Sequence, residues 1–261
     1  MQKIVRQEVP ITRETSLILN TIKEIAKSVF ALEFLSGDST SKPIFYDSEH
    51  LRTFEQDPSK TKRWLVKPTR IIVQINPQNR LVCLENIQGG VTPKHFEQFM
   101  TKILENDYPA REVDLTPIIA DSFLSIIDSF TRIRMASVEI TRPNLSWTDN
   151  ENQIHELLDE SDAERATIQV NAARGESLSK ENGLVSAIED NATSQNPNIK
   201  NAKLIGEANG TAEQTVSMRK FTLKDLISYD SALSMREQTE EVFRQMIDKI
   251  LHRNPIGNGK K

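Results

Sequence analysis

The sharpest pattern of apolar and polar positions lies in residues 70–85. Two β-branched apolar runs, Ile71-Ile72-Val73-Gln74-Ile75 and Leu81-Val82-Cys83-Leu84, flank the turn formers Asn76-Pro77-Gln78-Asn79, which predicts a β-hairpin. Beyond Gly89-Gly90, Thr92 suits a helix N-cap and Pro93 the first helical position, where a missing N–H costs nothing. Phe96, Phe99, Met100, Ile103 and Leu104 then recur at helical spacing. Strand, turn, strand, helix is the expected order.

Upstream, residues 12–35 carry Ile18, Ile22, Ile25, Val29 and Leu32 as a stripe at helical spacing, with Lys23, Glu24 and Lys27 off it. A helix covering the hairpin's sheet is expected there, stopped by Gly37-Asp38-Ser39. Residues 43–46 read as a short strand. Downstream, 110–115 predicts a strand and 117–130 an apolar segment. A strand over 132–142, clearest at Ser137-Val138-Glu139-Ile140-Thr141, ends at Pro143-Asn144.

Residues 150–162 predict a short helix with Ile154, Leu157 and Leu158 inward and Glu151, Glu156, Asp159, Glu160 and Asp162 outward. Then come a strand at 166–170, a helix at 180–192, strands at 202–205 and 213–218, and a strand end or short helix at 221–226. The last helix, 233–251, places Met235, Val242, Phe243, Met246, Ile247 and Ile250 on one face, and Asn254-Pro255-Ile256-Gly257 terminates it. The fold class expected is α+β, in two mixed domains. The first has an antiparallel, hairpin-containing sheet with covering helices, and a split βαβ sheet is open to the second. The join is placed within 132–144, giving domains 1–135 and 136–261.

Composition narrows this modestly. A chain of 261 residues can bury a sizeable core, and 27% charged residues is ordinary. A net charge of -4 counts against a nucleic-acid binder, whose domain is often strongly basic. The single cysteine, Cys83, excludes an internal disulfide and fits a reducing cytoplasm; between Val82 and Leu84 it reads as packing rather than a reactive thiol. Residues 1–10 lack the apolar core of a signal peptide, and no apolar run approaches the roughly 20 residues of a membrane helix. A cytoplasmic protein is the expectation.

Catalytic chemistry is hard to find. His50, His95, His155 and His252 lie far apart, none in metal-ligand spacing with another His or Cys. Phosphate-loop, dinucleotide and nucleophile-elbow motifs are absent. Gly89-Gly90 before a helix could cradle an anion, but the lysine-serine continuation is missing and a tight hairpin-to-helix turn is the preferred account. A metal-dependent nuclease would need carboxylates such as Asp47, Glu49, Glu85 or Glu97 beside a Glu-x-Lys pair, and no such pair follows. No cofactor is implied.

The local charge balance is more informative. Between 52 and 80, Arg52, Lys60, Lys62, Arg63, Lys67, Arg70 and Arg80 oppose only Glu55 and Asp57, and Trp64 lies inside the run. Cations interleaved with an aromatic suit a phosphate backbone, through ion pairing and ring stacking. A solvated loop leading into a strand is the plain alternative.

In pattern and order the chain resembles the RexA-like phage-exclusion proteins, to which the DNA-binding subunit of Kiwa-type defence systems looks related. The resemblance runs from about Ile71 onward. It rests on the hairpin leading to Leu81-Val82, the Thr92-initiated helix ending Lys102-Ile103-Leu104, Val113-Asp114-Leu115-Thr116-Pro117, the passage through Arg132 into Ser137-Val138-Glu139-Ile140, the strand Thr167-Ile168-Gln169-Val170, and the closing amphipathic helix. It implies a two-domain α+β protein that binds DNA with little sequence preference, forms a homo-oligomer and works with a membrane-protein partner encoded nearby in bacterial antiviral defence. Of the basic residues that family places after the strand, Arg174 and Lys180 are matched. The rest of 171–180 departs from the family's lysine- and arginine-dense segment, which shifts the expected DNA contacts toward Lys60, Lys62, Arg63, Trp64, Lys67 and Arg70. The alternative is a non-enzymatic protein-interaction subunit of a defence complex, docking through the acidic 151–162 face and the final helix; a nuclease is the third reading.

Overall fold

A computed structural model describes residues 5–38, 40–75, 80–105, 113–141, 160–161, 165–194, 199–208 and 210–252. The chain is α+β and forms two compact units, Met1–Leu115 with Leu226–Lys261, and Thr116–Asp225. The division therefore falls after Leu115 and after Asp225, not at the join expected within 132–144. The strand placed at that join is instead the middle of the second unit's sheet, and the last helix returns to the first unit.

The first unit is built on β1 (Glu8–Pro10), β2 (Ser16–Ala26), β3 (Val29–Gly37), then, after an excursion, β6 (Val66–Ile75) and β7 (Arg80–Leu84). They pair antiparallel in the order β1-β2-β3-β6-β7. The hairpin predicted at 70–85 is β6–β7, with Val73 opposite Val82. The helix expected over 12–35 is instead the β2–β3 hairpin. Its register slips between Leu19 and Thr21 and again between Glu24 and Ala26. Each bulge inserts one residue and breaks the alternation, and the stripe that reads as helical collects Ile22 and Leu32 from one face of the sheet and Ile25 and Val29 from the other.

Between β3 and β6 the chain forms the separate hairpin β4 (Ile44–Asp47) and β5 (Arg52–Glu55), followed by the single-turn helix α1 (Pro58–Thr61). After β7 comes α2 (Pro93–Leu104), with Pro93 at its start and the Thr92 hydroxyl accepting from the His95 N–H, as the sequence implied. Its Phe96 and Phe99 pack edge-on against Phe34, with Leu17, Leu19, Leu32 and Ile71 completing that core. The expected strand at 110–115 is not formed by its described residues; Leu115 instead donates its N–H to Glu97 of α2.

The second unit opens with α3 (Ser122–Ser129), which runs into β8 (Phe130–Thr141). Then follow β9 (Arg165–Asn171), α4 (Leu184–Thr193), β10 (Asn201–Ala208) and β11 (Gln214–Ser217), with a 3-10 turn at Met218–Phe221. The sheet order is β11-β10-β8-β9. Both β9 and β10 are antiparallel to β8, so they run parallel to each other on either side of it and α4 connects them: a split βαβ unit. Phe123, Ile127, Ile133, Val138, Val185, Ile188 and Leu204 form its core. Buried Asn191 closes the α4–β10 connection, its amide oxygen accepting from the Ile199 N–H at 2.8 Å and its Nδ2 donating to the Ile199 carbonyl at 3.4 Å. The helix expected over 150–162 lies outside the described residues except for Glu160 and Ser161.

The final helix, α5 (Met235–His252), belongs to the first unit. Its Val242 and Met246 are buried on the sheet face carrying Ile72, with Cys83, Phe243, Ile247 and Ile250 around them. The five-stranded sheet is thus covered on both faces, by α2 on one and α5 on the other.

Candidate nucleic-acid interface

The proposed contacts of the first unit divide into two groups. Lys60 lies in α1; Lys62, Arg63 and Trp64 follow it, and Lys67 sits at the start of β6. Asp57 caps α1, its carboxylate accepting from the Ser59 N–H and hydroxyl, and Lys62 at φ 56 turns the chain sharply out of the helix. Lys60, Lys62, Arg63 and Lys67 are exposed, and among the described residues none has a carboxylate within ion-pair distance. Trp64 is half-buried.

Arg70 is a different case and corrects the expectation that it contacts DNA. Residue 70 lies three positions from 67 along β6, so the two side chains leave opposite faces of the sheet. Arg70 is 2% exposed; its Nη1 lies 3.3 Å from Glu85 Oε1, and its Nε and Nη2 donate to the Thr239 hydroxyl at 3.2 and 3.0 Å. It has become an internal anchor for α5 and cannot reach a polyanion.

The acids beside the exposed cations are already engaged. Lys42 lies 3.5 Å from Asp57 and 3.9 Å from Glu55, while Asp47 holds the His50 ring and Arg52 at 2.8 and 3.5 Å. The His50 and Glu49 amides donate to Asp47 as well, and the His50 amide is the main cause of a carboxyl pKa below its ordinary value. Asp57 is likewise lowered, first by the Ser59 hydroxyl. Asp47 and Asp57 thus have cation partners, whereas among the described residues Lys60, Lys62 and Arg63 have no carboxylate partner.

In the second unit Arg174 is exposed, in a turn after β9. Lys180 is half-buried and donates from Nζ to the Asp128 carbonyl at 2.8 Å, where it completes the end of α3. It is therefore partly spent on the fold.

Other candidate features resolve into packing. Gly90 has no room for a Cβ, which would meet Ile87 at 2.5 Å and Thr69 at 2.6 Å, and the Ser36 hydroxyl holds the Gly89 carbonyl at 2.8 Å. The double glycine is a tight turn onto the sheet. The four acids considered for a nuclease do not converge: Glu85 serves Arg70, Glu97 accepts from Leu115, and Asp47 organises the β4–β5 turn that contains Glu49. Among the described residues no group of three or more His, Cys, Asp or Glu could hold a metal ion. The final helix spends its apolar face on the sheet, so that face is not a docking surface.

What sequence reading missed is the character of the β4–β5 hairpin. Phe45 stands opposite Phe54, with ring centroids 5.4 Å apart and planes 17° from parallel. Ile44, Tyr46 and Leu51 are exposed beside them. The signal was present as Phe45 and Phe54 placed symmetrically about the 48–51 turn, but only the first strand was recognised.

A family model described as a domain of unknown function, DUF4747, matches residues 2–248. No curated protein and no solved structure matches the chain. Among the described residues no helix is long and apolar enough to cross a membrane.

Proposed function

The chain belongs to the DUF4747 family, and we propose that it is a sequence-tolerant DNA-binding protein of an anti-phage system. The observation that carries this reading is that Lys60, Lys62, Arg63 and Lys67, which flank Trp64 in sequence, are exposed and have no carboxylate partner among the described residues, while Asp47, Glu55 and Asp57 lie against other cations. Unmatched cations on a chain of net negative charge make a local polyanion site without a generally basic protein. Arg174 is an exposed cation of the second unit. The resemblance to phage-exclusion proteins supplies the setting: a cytoplasmic homo-oligomer working with a membrane-protein partner encoded nearby.

Filter binding of unrelated duplexes across a salt series tests the reading. Four phosphate contacts give a log–log salt slope of about −3 to −4, a loss of roughly a hundredfold in affinity between ~50 and ~200 mM salt. Absence of retention of duplex and single-stranded DNA alike at the lowest salt would end it.

A further inference from the structure

We infer that the β4–β5 hairpin engages unpaired nucleotides, so that this protein binds single-stranded DNA in preference to duplex. The inference rests on the DNA-binding reading and names the form of DNA.

An isolated two-stranded hairpin is marginally stable in water, and its apolar side chains ordinarily find cover. Here Ile44, Tyr46 and Phe54 are 74%, 62% and 51% exposed. The pairing Phe45–Phe54 and Tyr46–Thr53 puts the two phenylalanines on one face and Ile44 with Tyr46 on the other, so both faces offer a ring. The Phe45–Phe54 stack holds that side rigid, and Asp47 fixes the turn through the Glu49 and His50 amides.

This aromatic surface is tied to the unmatched cations. The Gln56 amide N–H donates to the Pro43 carbonyl at the base of the hairpin. The Gln56 side chain then reaches α1 and the chain beyond it, donating to the Thr61 hydroxyl at 3.3 Å and the Arg63 carbonyl at 3.4 Å. One residue thus links the rings to Lys60, Lys62 and Arg63.

A phosphodiester with accessible bases fits both halves, because every base has a face to stack and every linkage a charge to pair. Bases in a duplex are already stacked and shielded, so exposed rings gain nothing there without a costly unstacking step. A second copy of this chain on the same surface would bring Lys60, Lys62 and Arg63 against their own kind, which opposes self-association.

The test is fluorescence anisotropy of the full chain with labelled oligo(dT) and with a duplex of equal length, alongside light scattering. Paired Tyr46→Ala and Phe54→Ala substitutions should weaken oligo(dT) binding about tenfold or more and leave duplex binding unchanged. Phe54→Leu, which keeps the hairpin apolar but removes the ring, guards against simple unfolding and should reproduce part of the loss. Charge reversal at Lys60, Lys62 and Arg63 should weaken both ligands. Equal affinity for both DNAs, or equal losses in the ring variants, overturns the single-strand inference and leaves the DNA-binding reading intact. No binding to either overturns both. A dimer abolished by the ring substitutions with oligo(dT) affinity unchanged identifies the hairpin as a protein contact and overturns the inference.

Discussion

Arg70 and Glu85 are joined three ways across the edge of the first unit's sheet. The Glu85 N–H donates to the Arg70 carbonyl at 3.0 Å, and the Arg70 N–H donates to Glu85 Oε2 at 2.9 Å. The carboxylate replaces the next backbone carbonyl of the ladder while its other oxygen lies 3.3 Å from the guanidinium. The two side chains are 2% and 8% exposed, so neither charge has water to fall back on. Glu85→Ala strands a buried guanidinium and should cost about 3–5 kcal/mol in urea denaturation. Replacing both residues, Arg70→Met with Glu85→Leu, should recover most of that loss. If the single and double variants unfold alike, the pair is not what matters at this position.

Among the described residues, Thr239 is the one residue of α5 that hydrogen-bonds Arg70. Thr239→Val removes that acceptor while keeping the side chain's shape, and should destabilise the first unit by about 1–2 kcal/mol. Hydrogen exchange along α5 should accelerate more than along β2 or β3. Uniform acceleration would mean the helix is held by Val242 and Met246 alone.

Gly206 marks a register slip between β10 and β8. A Cβ there would lie 2.7 Å from the Arg132 carbonyl oxygen and 2.8 Å from the Phe130 ring. Because one obstacle is backbone, Gly206→Ala should lower stability by about 1–3 kcal/mol. Thermal melts of the variant check it, and an unchanged melting temperature would show that β8 yields there.

Glu189 has an oxygen without a hydrogen-bond partner. Burial, and secondarily Asp128, raises its carboxyl pKa above the ordinary 4.5, against the opposing pull of Lys180. A raised acid favours the folded state while protonated, so its contribution is fully present below the unfolded pKa and is lost as pH rises through the folded value. Glu189→Gln should therefore melt higher than the natural protein at neutral pH, with the gap closing below about pH 4.5. A gap that persists in acid would point to a packing effect.

For the exposed cations, replacing any one of Lys60, Lys62, Arg63 or Lys67 by Ala should reduce the salt slope of duplex binding by about 1 and weaken all sequences alike. A substitution that alters preference between sequences would instead indicate a base contact.

Where local pattern and tertiary context agree, the chain was readable. The 70–85 hairpin and the Thr92-Pro93 helix start depend on turn and cap chemistry within a few residues, and both are present. The second unit's strand and helix order admitted a split βαβ arrangement, and α4 joins β9 to β10 across β8. The β2–β3 hairpin was not readable because two bulges erase strict alternation. Arg70 looked like its basic neighbours because no sequence cue placed Thr239, 169 residues away, against it. The boundary at Leu115 was hidden for a similar reason: nothing local to 226–252 says which sheet its apolar face will meet.

The return of α5 to the first sheet imposes an order of events on a ribosome. Five strands emerge early, yet the face bearing Ile72 and Cys83 stays bare until more than a hundred intervening residues, Thr116–Asp225, have been translated. Over that interval the nascent chain displays an uncovered greasy surface, beside which the Arg70 guanidinium has Glu85 but not yet the Thr239 hydroxyl. Translation speed and holdase supply should therefore govern the yield of this protein more strongly than the equilibrium stability of either unit.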